Sequence, residues 1–247
     1  MAKEPNPREQ WNNCNFKYAY IWTKKARIPM LKKEMNFVMK FITSNTKKVL
    51  DVGCGTGRVL DEYCNQGKDF EIYGIDIAEK MVEICNKKRR ECSNIKDIRV
   101  CDISKEIVPY DINFDMISAI RMFKYNKNWR QILEKLIARC SRGGIVVFTI
   151  PNRRSINRLA GLANIILRKD NNYYIYRSSY TELKKVCDNL NYQVTEISSF
   201  SKIPDFFYDF SENKVFSSAI LCCERLLEFL FGKIMFGKEL FIAVKKR

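Results

Sequence analysis

The sequence predicts an α/β fold: a mostly parallel, seven-stranded sheet flanked by helices, with helical cap segments toward both ends of the chain. Three observations carry this. From residue 46 onward, short β-type runs alternate with amphipathic helical runs, the pattern of strands joined by crossover helices. The first of these strands runs straight into a glycine turn, VLDVGCGTGR. A chain of 247 residues, 46% of them hydrophobic, can bury one sizeable core.

The elements follow in order. Residues 1–45 read as a helical lid. Apolar residues recur at helical spacing in NFKYAYIW and in MLKKEMNFVMKFI, and Pro29 is suited to open the second helix. A core spans 46–150. There KKVLDV is a strand and GRVLDEYCNQG a helix stopped by Gly67; FEIYGID is a strand and AEKMVEICNKKRREC a helix. IRVCD and FDMISAI are strands, NWRQILEKLIARCS a helix, and GGIVVFTIP a strand stopped by Pro151. The C-terminal part, 151–247, holds the helix SYTELKKVCDNLN and the strands YQVTEISSF and KELFIAVKKR. The connection between those two strands is long and irregular, so they can depart from the parallel rule. Segments 153–176 and 203–236 are too long for loops of a compact domain and read as a cap or substrate wall on a single domain.

Composition narrows the chemistry. The chain has no His, which excludes a His general base or a His triad. Its ten cysteines are scattered without C-x-x-C spacing, so no metal is expected. The opening MAKEPNPREQWNN has no apolar run of the secretory kind. These features read as mostly reduced thiols in a cytoplasmic protein. Lys and Arg exceed Asp and Glu by 44 − 28 = 16, a field that attracts nucleic acid, anionic membrane or anionic substrates without choosing among them.

The glycine turn is the most informative stretch. Such a turn brings backbone N–H groups and a helix N-terminus up to a ligand. Its order, Gly53-Cys54-Gly55-Thr56-Gly57-Arg58, departs from the dinucleotide fingerprint, because Arg58 stands where the third glycine belongs. No G-K-[ST] follows, so it is no P-loop either. The run Asp51-x-Gly53-x-Gly55-x-Gly57 resembles motif I of the class I S-adenosylmethionine (SAM)-dependent methyltransferases, small-molecule type. The flanks agree. YGIDIAEKM ends the second strand in Asp76, VCDI ends the third, SAIRMFKY the fourth, and SRGGIVVFTIPN resembles the family's hairpin into the fifth, with Arg142 where proline is usual.

The resemblance covers 45–150 well and the later elements more loosely. It implies a Rossmann-like methyltransferase fold, SAM as cofactor and S-adenosylhomocysteine as product. Gly53, Cys54, Gly55, Thr56 and Gly57 would approach the methionine part, with Asp51 holding its amino group directly or through water. Asp76 and Ile77 would meet the ribose. Met81, Cys101, Asp102 and Ile103 would surround the adenine, and Ala119 and Arg121 would lie against the cofactor. Asp102 also reads as a helix N-cap.

Methyl transfer asks mainly for alignment and water exclusion. Residues following or facing the carboxyl ends of the strands are the candidates to contact the acceptor: Arg121, Tyr125, Asn152 and Tyr180. Each also has a plain structural reading, as packed aromatic or turn residue. Tyr18 and Trp22 are lid candidates over the cofactor.

Arg121, Lys124, Arg153, Arg154, Arg158, Arg168 and Lys169 should lie at the ligand end of the sheet. They fit an anionic, lipid- or glycan-linked acceptor, or simply solvated charge. Nothing resembles an RNA-binding module, so nucleic acid is the lesser alternative. VFSSAILCCERLLEFLFGKIMF, 215–236, is apolar around most of its circumference, with a narrow polar stripe of Glu224, Arg225 and Glu228. It reads as a buried cap or dimer helix, or as a surface for peripheral membrane contact or a lipid tail. The expected activity is methylation of a small or lipid/glycan-linked acceptor, oxygen favoured. The rivals are a SAM-binding scaffold without turnover, an RNA methyltransferase and an aminopropyl transferase.

Overall fold

A computed structural model describes residues 7–13, 28–67, 69–155, 175–200, 202–203, 214–231 and 237–246. Helix α1 (Pro7–Asn12) and helix α2 (Ile28–Met39) precede the sheet. Then come β1 (Lys48–Val52), α3 (Arg58–Cys64), β2 (Glu71–Asp76), α4 (Glu79–Lys88), β3 (Ile95–Val100) and β4 (Phe114–Ala119). A 3₁₀ turn (Phe123–Tyr125) leads into α5 (Trp129–Ala138) and β5 (Cys140–Pro151). The chain continues with α6 (Tyr180–Asn189), β6 (Tyr192–Phe200), α7 (Lys214–Phe231) and β7 (Glu239–Lys246).

These seven strands form one sheet in the order β3-β2-β1-β4-β5-β7-β6. Pairing is parallel from β3 across to β5, and of the seven β7 is the one reversed, antiparallel to both β5 and β6. The irregular connection expected before the last strand thus lets β7 enter from the opposite end and fill the gap between β5 and β6.

Both faces of the sheet are covered, which is why its central strands read as continuous apolar runs. Successive residues of a strand point to opposite faces. Leu50, Ile117, Val146 and Ile242 pack with Ile132, Leu133 and Leu136 of α5 and Leu183 of α6. Their neighbours Val49, Met116, Val147 and Phe241 pack with Val38 of α2, Leu60 and Tyr63 of α3 and Val82 of α4. The order reverses between β1 and β4, so the carboxyl ends of β1, β2 and β4 open a crevice there.

The described thiols are mostly free, beside one disulfide. Cys64, at the end of α3, and Cys92, after α4, form a disulfide across a Cα–Cα distance of 6.2 Å. Their spacing of 28 residues carries no motif, so only the packing of α3 beside α4 brings them together. Cys54, Cys85, Cys101, Cys140, Cys187, Cys222 and Cys223 are free.

Candidate functional site

The crevice holds a cleft lined by residues that end or follow β1, β2, β3 and β4. Its floor is the turn after β1. Gly53 has φ 72°, and a Cβ there would stand 2.9 Å from Cγ of Met122, so both the backbone and the neighbouring side chain require glycine. The Gly53 and Cys54 N–H groups donate to the Ile75 carbonyl at 2.8 and 3.1 Å, which ties the turn to β2. Gly55 has φ 55° and open space where a Cβ would be, so its backbone can meet a ligand.

Asp76 closes β2 and organises the turn from the other side. Its Oδ2 accepts from the Gly55 N–H at 2.8 Å and its Oδ1 from the Ala78 N–H at 3.0 Å. Burial pushes its carboxyl up, opposed by those hydrogen bonds and one from Ile77. Asp51 lies two residues before Gly53, buried under the turn. Its Oδ1 accepts from the Ser118 hydroxyl at 2.6 Å, while its Oδ2 is buried and accepts no hydrogen bond. Burial raises its pKa to about 7, against the Ser118 hydrogen bond and the charge of Arg58. A buried carboxylate oxygen without a donor fits a cationic ligand group beneath the glycine turn.

Asp102 follows β3 and does not cap a helix. Its Oδ1 accepts from the Ser104 N–H and hydroxyl at 3.2 and 2.5 Å, and Lys105 stands 3.3 Å from its Oδ2. Burial pushes the Asp102 carboxyl up, but Ser104 and Lys105 outweigh it and hold the group low. Burial raises the neighbouring Cys101 thiol to about 11.

Of the residues read as cofactor-binding, Gly53, Gly55, Thr56, Asp76, Ile77, Met81, Cys101, Asp102, Ile103 and Arg121 line the cleft. Asp51, Cys54, Gly57 and Ala119 do not. Cys54 packs in the core, its thiol 4.0 Å from that of Cys85. Gly57 is the N-cap of α3, and Ala119 is fully buried beneath the lining.

The four candidates for the acceptor side divide evenly. Arg121 and Tyr125 line the cleft. Asn152 is a turn residue: its Nδ2 donates to the Gly237 carbonyl at 3.0 Å, and its Oδ1 accepts from the Arg154 N–H at 3.0 Å. Tyr180 begins α6 behind the N-cap Ser179 and is absent from the lining.

Sequence reasoning missed Trp11. It lines the cleft, and its ring meets that of Tyr125 edge-on at 5.3 Å. Helix α1 is held there by Asn12 against Glu79 and by the Lys80 N–H donating to Asn12 Oδ1 at 3.3 Å. Pro7 at the first helical position was the available signal. Tyr18 and Trp22, the expected lid aromatics, lie outside the described residues, as do Arg158, Arg168 and Lys169.

Of the cations expected to greet an anionic acceptor, Arg121, Lys124 and Arg153 are engaged elsewhere. Arg121, at φ 62°, donates through Nε and Nη2 to both oxygens of Glu34 at 2.9–3.3 Å. Arg58 reaches the same carboxylate at 3.2 Å. Burial alone would raise the Glu34 carboxyl, but the two guanidinium groups outweigh it and hold the pKa at about 2. Lys124 stands 3.9 Å from buried Glu239, and Arg153 pairs with Glu182 at 3.2 Å.

Comparison with known proteins agrees with this geometry. A family model described as a methyltransferase domain matches residues 25–197. A ubiquinone biosynthesis O-methyltransferase of Azoarcus sp. (strain BH72) is 24% identical over 164 residues, 64% of this chain and 69% of that protein. A malonyl-[acyl-carrier protein] O-methyltransferase of Bacillus anthracis is 22% identical over 49% of this chain, which spans only 43% of that relative's length. Among solved structures, the magnesium protoporphyrin IX methyltransferase of Synechocystis PCC 6803 superimposes with a TM-score of 0.67 at 12% identity, covering 98% of each chain. A SAM-dependent methyltransferase from Thermotoga maritima also reaches 0.67, at 15% identity, over 98% of this chain and 100% of that one.

Proposed function

Because this chain belongs to the methyltransferase-domain family, whose methyl donor is SAM, we propose that it methylates a hydroxyl oxygen on an acceptor with an apolar or aromatic body. The observation that carries the choice of acceptor is the pairing of Trp11 with Tyr125 on the cleft wall, while Arg121 is spent on Glu34. An aromatic wall whose arginine is already paired suits an uncharged ring or chain better than a carboxylate. The O-methyltransferase relatives support oxygen as the receiving atom.

The bound donor supplies an electrophilic methyl group and a neutral leaving group. The chain's own residues bind, orient and exclude water. The backbone at Gly53 and Gly55 would take the methionine part, Asp51, buried beneath the turn, its ammonium through water, and Asp76 the ribose. Met81, Cys101 and Ile103 would line the adenine, and Asp102 would accept from its amine. Trp11 covers the site and Tyr125 orients the acceptor hydroxyl. Holding two reactants in a near-attack pose accounts for about 7–11 kcal/mol of the barrier.

The test is transfer of radiolabelled methyl from SAM to a long-chain alkyl phenol, to a malonyl thioester and to total RNA. Alkali-stable label on the phenol is expected. Alkali-labile label on the thioester, or label in RNA, would overturn the acceptor class. Cofactor binding without transfer to any acceptor would favour a scaffold.

Asp51 makes cofactor affinity depend on pH. Its carboxyl is ionised above about 7 and protonated below. Only the ionised form pairs with an ammonium, so the ratio of wild-type to Asp51→Asn affinity for SAM should fall about tenfold from about pH 8 to about pH 6. For folding alone the sign reverses. The folded pKa exceeds the ordinary 3.8, so proton uptake stabilises the ligand-free protein as pH drops from about 7 toward about 4. Calorimetric titration of both proteins across that range reads the first effect, and a flat ratio contradicts the assignment.

A further inference from the structure

Helix α7 is built inside out. Its two acids in the polar stripe face the protein: Glu224 is 4% exposed and its Oε1 accepts from the Ile203 N–H at 2.8 Å. Glu228 Oε1 meets Lys33 at 3.2 Å and buried Lys202 at 3.5 Å. Two acids that would ordinarily turn toward water are thus consumed in contacts to the body, and Ile220 packs beside them on Met30 and Ile203. The opposite face carries Ala219, Cys222, Cys223, Leu226, Phe229 and Leu230, all exposed and spaced as one helical stripe. Leu226 is 56% exposed, Phe229 85% and Leu230 59%. An apolar ridge of this kind marks an interaction surface. It holds no acid, and Arg225 is exposed at its margin.

We propose that this face of α7 docks the protein on the surface of an anionic lipid bilayer, lying in the interface with Leu226, Phe229 and Leu230 inserted. Charge decides the occupant. A net charge of +16 sets two copies against each other but draws the chain to an anionic membrane. No described helix is long and apolar enough to cross a bilayer, so the contact is peripheral. The surface is also wired to the cleft. Consecutive residues of α2 do this: Lys33 holds Glu228 of α7, and Glu34 holds Arg121 of the cleft lining. Docking through α7 therefore fixes how the cleft stands over the membrane. The inference does not depend on the methyl-transfer reading.

The test is co-sedimentation of the full chain with vesicles of phosphatidylcholine, with and without about 30% phosphatidylglycerol. The protein should sediment with the anionic vesicles and be released by high salt. A Leu226→Ser/Phe229→Ser/Leu230→Ser variant should partition at least about tenfold more weakly, with its melting temperature unchanged. Independently, Phe229→Trp should add an indole emission that shifts to the blue on anionic vesicles and is quenched by brominated lipid. Unchanged partitioning of the triple variant would mean adhesion by general charge and would overturn the proposal. So would no binding by the wild type, an added emission in Phe229→Trp that brominated lipid leaves unquenched, or a wild-type dimer that the triple variant abolishes.

Discussion

Replacing Glu34 by alanine should lower unfolding stability by about 3–5 kcal/mol, the range for breaking a buried ion pair. Glu34 is 1% exposed and sits on α2 with the guanidinium groups of Arg121 and Arg58 on its two oxygens. Without it, Arg121 keeps its place in a nearly buried wall with Glu239, 3.9 Å away, as the remaining carboxylate in reach among the described residues. The effect is also one of pH. The folded pKa of about 2 lies below the ordinary 4.5, so Glu34 contributes fully above about pH 4.5 and loses its contribution as pH falls toward 2. The span corresponds to about 3 kcal/mol. Glu34→Gln keeps the shape without the charge, so its stability should lack this acid-sensitive component. Urea unfolding of the three proteins at pH 7 and near pH 3 measures both effects. A loss below about 1 kcal/mol for Glu34→Ala at pH 7 would mean that the arginines find other partners at little cost.

The contrast between Asp76 and Glu34 explains what a sequence displays and what it hides. Asp76 was legible because it ends a β-type run a fixed distance after a glycine turn, and strand period and turn chemistry are local signals. The seven strands were legible for the same reason. Glu34 was not. It stands in MLKKEMNF as one charge among several, and its meaning depends on Arg121, 87 residues away. Arg121, Lys124 and Arg153 were legible as cations, but not the carboxylates that pair with them. Trp11 escaped because six helical residues carry too little periodicity to mark a face. In α7 the pattern gave a polar stripe and an apolar one, but not which faces inward. Turning Glu224 and Glu228 inward became possible only where the Ile203 N–H met the first and Lys33 and Lys202 the second. Local order is written locally; charge pairing and face choice are set by the far chain.

Asp76→Ala should weaken SAM binding by about 1.5–3 kcal/mol, or about 10–150-fold. A carboxylate can accept about four hydrogen bonds. Asp76 gives one oxygen to the Gly55 N–H and the other to the Ala78 N–H, with the Ile77 N–H also directed at it, which leaves at least one acceptor site for a ribose hydroxyl. Alanine removes both the ligand contact and the brace that holds the turn, so loss of affinity alone would not separate them. Asparagine is no neutral control, because its amide nitrogen would oppose one of those two N–H donors. The separation comes from the ligand. S-adenosylhomocysteine and its 2′-deoxy analogue, titrated into wild type and Asp76→Ala, form a double-mutant cycle. If Asp76 holds the ribose, removing the hydroxyl should cost the wild type at least about tenfold and the variant almost nothing. Equal losses in both proteins would make Asp76 a brace of the glycine turn and move the ribose elsewhere in the cleft.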